Sequence, residues 1–284
     1  MITESLLVGN RFLHDASLVM IFGGSGFIEL TSPELRFALD RIWICPERLA
    51  VSIAVATTIV TVPLNLASLT DSVPTTNLVA TYLFQTNGGQ VLVFQILSAA
   101  ALLVVSIFLA RTAKAVVAGL MLCELSLAGH ATDGDTFHQI ITASTQAVHI
   151  LAGAAWLGAL PVLVAVIICI NCGVDRVGGI SALQKFSAIG HLLVALTLTC
   201  GLSTALLING LPDIAKEYDR AVIAKGVLVL AMAIVALINR YAVVPRLRSY
   251  PSASSLLVAG STAEIFLGMM ALALVASFGI TDPA

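Results

Sequence analysis

The stretch STQAVHILAGAAWLGALPVLVAVIICI, residues 144–170, decides the class of fold. It contains no Asp, Glu, Lys or Arg, and as a helix it would be about 40 Å long at a rise of about 1.5 Å per residue. The hydrocarbon core of a bilayer is about 30 Å thick, so about 20 predominantly apolar residues cross it as a helix. The stretch is therefore predicted to be a transmembrane helix.

The composition of the whole chain agrees with this prediction. Of its 284 residues, 58% are hydrophobic and only 11% are charged, whereas soluble domains have about 25% charged residues. These values exclude a water-soluble globule. The net charge of -2 and the lack of any run of Lys or Arg exclude nucleic acid as a partner. The five cysteines lack the spacing of a disulfide framework.

Seven further stretches have the length and hydrophobicity of membrane spans. The predicted fold is therefore an all-α membrane bundle of about eight transmembrane helices, with residues 1–284 forming one integral-membrane domain. The first stretch lacks a basic leader followed by a small-residue cleavage site, so it is predicted to be a retained span. The eight spans are placed near residues 12–28, 49–69, 90–110, 115–129, 144–170, 186–208, 221–239 and 256–279.

The distribution of Lys and Arg predicts the orientation, because positively charged loops stay on the cytoplasmic side. Ten of the 14 Lys and Arg residues lie in alternate loops, which are therefore predicted to be cytoplasmic. Both termini would then face outward, which requires an even number of spans. Arg111 and Lys114, beside the short fourth span, are predicted to snorkel toward the interface.

The fifth span carries polar residues toward its outer end. His149, Gly153 and Trp156 lie on one helical stripe. If the helix begins as early as Asp135, His138 continues this stripe outward, about 16 Å from His149. The two imidazoles would then be successive stations for a moving ion. The alternative is that His149 hydrogen-bonds a neighbouring helix and Trp156 fills the core.

The loop before that span, GHATDGDTFH, contains four potential metal ligands: His130, Asp133, Asp135 and His138. Imidazole and carboxylate at this density suit Cu(II), Ni(II) or Zn(II), although Asp-Gly-Asp is also typical of a polar turn. His14 in the first span lies at nearly the same predicted depth as His149. It is interpreted either as a partner of His149 or as an interfacial histidine.

Two carboxylates lie inside predicted spans, where ionisable groups are costly and generally functional. Glu124 is predicted to lie near the membrane midplane. Glu264 lies between Gly260 and Gly268 on a stripe that lets a neighbouring helix pack closely. At least one carboxylate is interpreted as part of an ion path, with bracing between helices as the alternative. Lys225 either pairs with a carboxylate or snorkels.

Three further side chains lie toward the cytoplasmic side of the predicted bundle. His191 is interpreted as structural unless it meets Glu264. Cys169 and Cys172 form a CxxC on one helical face at the inner end of the fifth span. Two thiolates suit Cu(I) at a release site, whereas a buried cysteine also serves as a small hydrophobic residue.

Several motifs occur together in the order found in one family. The segment HILAGAAWLGAL, residues 149–160, resembles the H-x6-W-x-G-G signature of the copper-resistance D (CopD-like) inner-membrane proteins, with Ala159 in place of the second glycine. Three other segments and one residue are also similar: RFLHDASLVMIFGG at 11–24, GHA at 129–131, KGVLVLAMAIVALINRYAVVPRL at 225–247, and Glu264 in the last span.

This resemblance implies a multi-span protein of the bacterial cytoplasmic membrane that handles copper and moves it inward. It also implies a small periplasmic copper-binding protein as a partner, and copper contacts at His14, His130 and His149. The leading hypothesis is a permease and not an enzyme. The chain lacks the GxxxxGK[ST] motif that cradles nucleotide phosphates, so copper movement driven by ATP hydrolysis within this chain is not expected.

The permease hypothesis predicts a path that runs from the outer loop, past the histidines, Trp156 and Glu124, toward Glu264. A rival hypothesis is a membrane electron carrier that binds haem b, with His14 and His149 as axial ligands. A third interpretation is a membrane anchor that recruits a periplasmic partner, which gives the two buried glutamates no role.

Overall fold

The computed structural model describes residues 2–69, 75–127, 136–210, 213–248 and 252–278. All regular structure in these ranges is helical. The α-helices are α1 (Ile2–Val19), α2 (Ser25–Glu29), α3 (Pro33–Leu69), α4 (Thr76–Gln85), α5 (Asn87–Phe108), α6 (Arg111–Glu124), α7 (Thr136–Asn171), α8 (Arg176–Asn209), α9 (Glu217–Ile238) and α10 (Ser252–Phe278). Two π-helical turns, Met20–Gly24 and Asn239–Val243, follow α1 and α9, and the 3-10 turns Leu125–Leu127 and Val244–Arg248 follow α6 and the second π turn.

Six helices of the described ranges are long and apolar enough to cross a membrane. They are Pro33–Ser68, Asn87–Phe108, Thr136–Asn171, Arg176–Ile208, Glu217–Leu247 and Ala253–Phe278. The predicted class, a helical membrane protein, is confirmed. The predicted first and fourth spans are not among the six, and α6, the helix of the fourth, has only 14 residues. The count of eight and the outward termini stay predictions.

A short helix, α4, lies between the predicted second and third spans, where the sequence analysis predicted only a loop. The hydroxyl of Thr75 caps it by accepting a hydrogen bond from the backbone N–H of Leu78. Asn65 near the end of α3 donates to the hydroxyl oxygen of Tyr82 in α4 at 3.0 Å. The segment is therefore attached to the outer end of α3.

The long helix α7 forms the centre of the bundle and packs against α1, α3, α6, α8 and α10. Its middle is fully buried, as shown by Leu160, Val162 and Val166. Two glycines let the first π turn approach it: a Cβ on Gly23 would lie only 2.5 Å from the carbonyl oxygen of Ala154 and 2.7 Å from the Cα of Gly158. Small residues at such contacts are the usual means by which membrane helices pack closely.

The helices α1 and α7 run in the same direction across the bundle. A second contact supports this, in addition to that of Gly23. Ser32 lies just beyond the end of α2 and Asp175 just beyond the end of α7, and the Ser32 hydroxyl donates to the Asp175 carboxylate. The side chain of Lys185 in α8 also donates to the carbonyl oxygen of Leu30 at 2.9 Å. The ends that follow Gly23 and Gly158 therefore lie at the same face of the protein, the predicted cytoplasmic side.

A buried ionic cluster joins α2, α3 and α6 toward that side. Glu47 in α3 accepts hydrogen bonds from Ser25 at 2.6 Å and Lys114 at 2.6 Å, and Arg111 bridges Glu47 and Asp40. The structure pairs Arg111 and Lys114 with buried Glu47, and their snorkelling toward the interface stays a prediction. Glu47 lies in a loop if the second span begins at residue 49, as predicted, whereas α3 begins at Pro33 and includes it.

Candidate functional site

His149 is held in one orientation by α8. Its Nδ1 lies 2.8 Å from the backbone carbonyl oxygen of Thr197, one helical turn from Gly201. A carbonyl oxygen only accepts, so Nδ1 carries the hydrogen and Nε2 of the neutral ring carries the lone pair. A Cβ on Gly201 would lie 2.7 Å from Cε1 of the imidazole. Glycine at this position therefore makes room for the ring.

The lone pair of His149 faces a lysine. Nζ of Lys225 in α9 lies 3.5 Å from Nε2 of His149. Lys225 is half-buried, and the guanidinium of Arg11 in α1 is close enough to repel it. Lys225, for which a carboxylate partner and snorkelling are the alternatives from the sequence, has an imidazole partner in the structure. The two cations and the imidazole bring α1, α7 and α9 together near the outer end.

His14 is oriented by the same chemistry on a different helix. Its Nδ1 lies 3.1 Å from the hydroxyl oxygen of Thr57, and that hydroxyl donates its own hydrogen to the carbonyl oxygen of Ile53 at 2.7 Å. Thr57 therefore accepts from Nδ1–H, which leaves the lone pair on Nε2. His14 is only 6% exposed, and its Nε2 has no hydrogen-bond partner within the described ranges.

The two histidines lie at a similar depth but use different neighbours. His14 precedes Gly23 by nine residues, and His149 precedes Gly158 by nine, so each lies about 14 Å outward of the glycine contact at 1.5 Å per residue. His14 is bonded to α3, whereas His149 is bonded to α8 and α9. The structure therefore places both imidazoles in the outer half of the bundle without giving them a common protein partner.

A buried aspartate beside His14 escaped the sequence analysis. Asp15 is 6% exposed, and its Oδ1 has no hydrogen-bond partner within the described ranges. Arg11, one helical turn earlier, interacts with it electrostatically. The signal that could have found it is the HD pair of the segment RFLHDASLVMIFGG, where a carboxylate follows the histidine inside an apolar run.

Trp156 and Glu264, which the sequence analysis put on one path, are brought together. The indole of Trp156 and the amide of Asn239 both hydrogen-bond the carboxylate of Glu264, the amide Nδ2 at 2.7 Å from Oε1. Glu264 is only 3% exposed. Asn239 begins the second π turn, and a Cβ on Gly260 would lie within 2.6 Å of its Nδ2. Asn239 is a single neutral residue inside an apolar span, so no sequence signal marks it as a partner of Glu264.

Glu124 lies at the outer end of α6. Lys114, near the other end of this helix, reaches Glu47 in the inner cluster, and Gly119 between them faces the side chains of Leu151 and Phe22. Glu124 is five residues beyond Gly119 and so lies about 7.5 Å farther outward. Its placement near the membrane midplane stays a prediction.

The carboxylate of Glu124 is only partly satisfied. Ser98 in α5 donates to its Oε1 at 2.5 Å. Its Oε2 is buried and lacks a hydrogen-bond partner among the residues that the structure describes. Together with His14 and Asp15, it adds a third polar group in the outer half that presents an unused lone pair.

His191 and the two cysteines of the CxxC lie apart from this outer group. His191 is exposed on α8 and lies 3.1 Å from the hydroxyl of Tyr241, so it does not take Glu264 as its partner. Cys169 is buried and Cys172 is exposed, both as free thiols. Their side chains are close enough to interact electrostatically, in agreement with a position on one helical face.

The predicted outer loop lies mostly outside the described residues. His130, Asp133 and Asp135 fall there, whereas His138 is half-buried in the first turn of α7. In the part of the chain that the structure describes, no three His, Cys, Asp or Glu side chains come together as a metal site. The described outer half therefore offers separate ligands at His14 and His149.

Comparison with known proteins assigns the chain to a family related to copper resistance. Residues 1–140 match the family described as Copper resistance protein D-like, N-terminal domain, and residues 180–278 match Copper resistance protein D. The Inner membrane protein YebZ of Escherichia coli (strain K12) is 30% identical over 247 residues, which cover 84% of each chain. The chain belongs to the copper-resistance D family. No solved structure matches it.

The family assignment confirms the predicted identity and location. The chain is a helical membrane protein related to copper resistance, and the named relative is an inner membrane protein. Both family matches include residues of the candidate site: His14, Glu124 and His138 lie in the first, while Lys225, Asn239 and Glu264 lie in the second. His149 and Trp156 lie between the two matched segments.

Proposed function

We propose that this protein is a copper permease of the bacterial cytoplasmic membrane that moves copper inward. The observation that carries the proposal is the shared orientation of His14 and His149. Each imidazole donates from Nδ1 to the protein, which leaves the lone pair on Nε2. The Nε2 of His14 has no hydrogen-bond partner among the described residues, and the Nε2 of His149 faces Lys225 at 3.5 Å. Histidine ligands of metal ions generally have this arrangement, because the outer hydrogen bond orients the ring and selects the tautomer.

Imidazole nitrogen suits copper as a cargo. It is a common ligand of copper, zinc, iron and nickel, and the family assignment selects copper among them. A permease must bind its cargo well enough to admit it and weakly enough to release it. Two separate histidines meet that need better than a closed cluster of three or four ligands.

The route begins in the outer loop and continues inward along α7. His130, Asp133, Asp135 and His138 would collect copper at the mouth, and the histidines and Glu124 would follow. Copper then passes Trp156, near the centre of α7, on the way to the cytoplasmic side. Cys169 and Cys172, at the inner end of the same helix, would receive Cu(I), because thiolates are soft ligands.

Transport is proposed without chemistry on the cargo. The protein would act as a permease and not as an enzyme, and its chain lacks a phosphate-cradling motif for ATP. A small periplasmic copper-binding protein would supply copper to the outer loop. The orientation that makes this an importer rests on the predicted cytoplasmic placement of the Lys- and Arg-rich loops.

Copper uptake into cells that express single variants tests the proposal. Cells with the wild-type protein should accumulate more copper than cells with His14→Ala or His149→Ala, at equal amounts of protein in the membrane. His191→Ala is the matched control, because it removes an exposed imidazole that lies outside the route. Equal copper accumulation in all four strains would contradict the proposal.

Haem binding is the alternative function, with His14 and His149 as the axial ligands. An axial haem ligand also uses an imidazole lone pair, but the rings of His14 and His149 are hydrogen-bonded to different helices. An absorption spectrum of the purified protein separates the two functions. A Soret band in the wild type that disappears in both His14→Ala and His149→Ala would show that the protein binds haem and would favour the electron carrier over the permease.

A further inference from the structure

Two buried glutamates of this protein have opposite surroundings. Glu47 is 2% exposed and lies against two cations, with Lys114 Nζ at 2.6 Å from Oε2 and Arg111 Nε at 3.4 Å from Oε1. Glu264 is 3% exposed, and its partners are the neutral side chains of Asn239 and Trp156. The first carboxylate is therefore neutralised by the protein, whereas the second is not.

The described elements around Glu264 provide no charged partner. From α7 the neighbours are Trp156 and Leu157, the latter in contact with Gly268 one turn along α10. From the second π turn the neighbour is Asn239, while the following Arg240 turns to Ser187 of α8. Within the described ranges, no Lys, Arg or His forms an ion pair with Glu264.

Three other elements pack along α10: α1, α9 and the 3-10 turn Val244–Arg248. In α1, the partly buried Arg11 and the buried Asp15 interact with each other. In α9, Lys225 lies beside His149, and in the 3-10 turn Arg246 is exposed.

The two side chains that hydrogen-bond Glu264, Asn239 and Trp156, are neutral. Among the residues that the structure describes, Glu264 is thus an acidic group in the core of the bundle without a fixed counter-charge.

A bare carboxylate in a low-dielectric interior is strongly disfavoured, and a buried acid without a paired cation takes up a proton instead. A mobile cation must therefore accompany the Glu264 carboxylate whenever it is buried as seen here. Cu(I) prefers soft thiolate, thioether and imidazole ligands over carboxylate. The cation that fits a carboxyl group between two neutral donors is the proton.

We propose that Glu264 is a proton-binding site that takes up and releases a proton in each transport cycle, and so couples copper movement to the proton gradient. The coupling rests on the proposed copper permease. The proton is bound at one carboxylate oxygen as a carboxylic acid, and its release regenerates the carboxylate without any other change in bonding. Buried Glu and Asp residues serve as proton relays in other membrane transporters.

The neighbours of Glu264 suit a group that changes its charge. Asn239 lies on a π turn, and such turns are frequent at functional sites and mark places where a helix departs from its regular hydrogen bonding. The Asn239 amide offers both donor and acceptor atoms, so it can serve the ionised and the protonated carboxyl group. The buried hydroxyl of Ser261, three residues before Glu264, has no hydrogen-bond partner among the described residues and adds a second adaptable group.

Infrared spectroscopy of the purified, full-length protein tests the proton site without any need for copper. On titration from acid to alkaline pH, the wild type should lose a C=O stretching band of a buried carboxylic acid, and Glu264→Gln should lack this band. Glu29→Gln, which changes a half-exposed glutamate paired with Arg36, is the matched control and should keep it. A band that is unchanged in Glu264→Gln would overturn the proposal.

Proteoliposomes test the coupling. If one proton moves with each copper ion, a pH gradient of about one unit should change the steady-state copper accumulation of the wild type about tenfold. A difference of one pH unit is a tenfold ratio of proton concentrations, and the coupled copper ratio changes by the same factor. Glu264→Gln keeps the size and an acceptor for Asn239 and should show accumulation that is independent of the gradient. Copper accumulation by the wild type that does not change with the pH gradient would overturn the proposed coupling.

The two proposals fail in different ways. If wild-type liposomes took up no copper, the permease function would be wrong, and the infrared band would still decide whether Glu264 holds an exchangeable proton. If copper entered in a manner dependent on His14 and His149 but insensitive to pH gradients, the permease would stand and the role of Glu264 would be refuted.

Discussion

The ammonium nitrogen of Lys114 lies 2.6 Å from Oε2 of Glu47, inside a four-residue ionic cluster that joins α3 to α6. Arg111 completes the cluster by bridging Glu47 and Asp40. The side chains of Arg111 and Lys114 are only 12% and 14% exposed. Two positive and two negative groups are thus held together beside the hydroxyl of Ser25, and α6 is fixed at its first turn.

Removal of Glu47 should destabilise the protein strongly. Glu47→Ala leaves Lys114 and Arg111 without their buried partner, and the loss of one member of a buried ion pair costs about 3–5 kcal/mol. The free energy of unfolding in mixed micelles measures this loss. Glu29→Ala is the control, since Glu29 and Arg36 form a half-exposed pair of a kind that contributes about 0–1 kcal/mol. Equal losses for the two variants would show that the Glu47 cluster is not structural.

A methyl group on Gly201 should disturb His149 without removing it. The Cβ of Gly201→Ala would lie 2.7 Å from Cε1 and 2.8 Å from Nδ1 of the ring, so the imidazole must leave its bond to Thr197. We expect copper binding to weaken about as much as in His149→Ala. Gly190→Ala on the same helix is the control, because no atom lies within 4 Å of its added Cβ. Copper affinity equal to that of the wild type in Gly201→Ala would contradict the assigned orientation.

The contact between Ser32 and Asp175 should make stability depend on acid pH. The hydroxyl of Ser32 and then the backbone N–H of Gly178 hold the pKa of Asp175, which lies outside the membrane spans, below its usual value of 3.8. Because the pKa of Asp175 is lower in the folded protein than in the unfolded chain, its ionised carboxylate stabilises the fold at pH values above the pKa of the unfolded chain. This stabilisation disappears as the pH falls through the pKa of the folded protein. Thermal unfolding midpoints of the wild type and Asp175→Asn should differ at neutral pH and converge in acid. A difference that is constant with pH would refute this.

The positions of the long helices follow from hydropathy alone. Each of the eight predicted spans overlaps a helix of the structure, because lipid requires every backbone hydrogen bond to be satisfied within a segment. The boundaries differ where a helix extends beyond the bilayer core, as α3 does from Pro33 to Leu69. Hydropathy cannot detect a π turn such as Met20–Gly24, since its residues are as apolar as those of the α-helix around it.

The partners of the candidate residues were harder to predict. Helical periodicity places His149 and Trp156 on one stripe of α7, but it does not say which helix meets that stripe. The structure shows Lys225 at His149, and Glu264 with Asn239 at Trp156. Such pairs depend on packing between distant segments of the chain. The burial of Glu47 escaped prediction for the same reason, since its two cations come from α6.

X-ray absorption spectroscopy of copper bound to the purified protein tests the central claim most directly. The wild type should show scattering from imidazole ligands, and this signal should decrease in His14→Ala and in His149→Ala but stay unchanged in His191→Ala. Loss of the signal in both site variants is the result that our account predicts. Full imidazole scattering in the double variant His14→Ala/His149→Ala would contradict it, because copper would then be bound elsewhere.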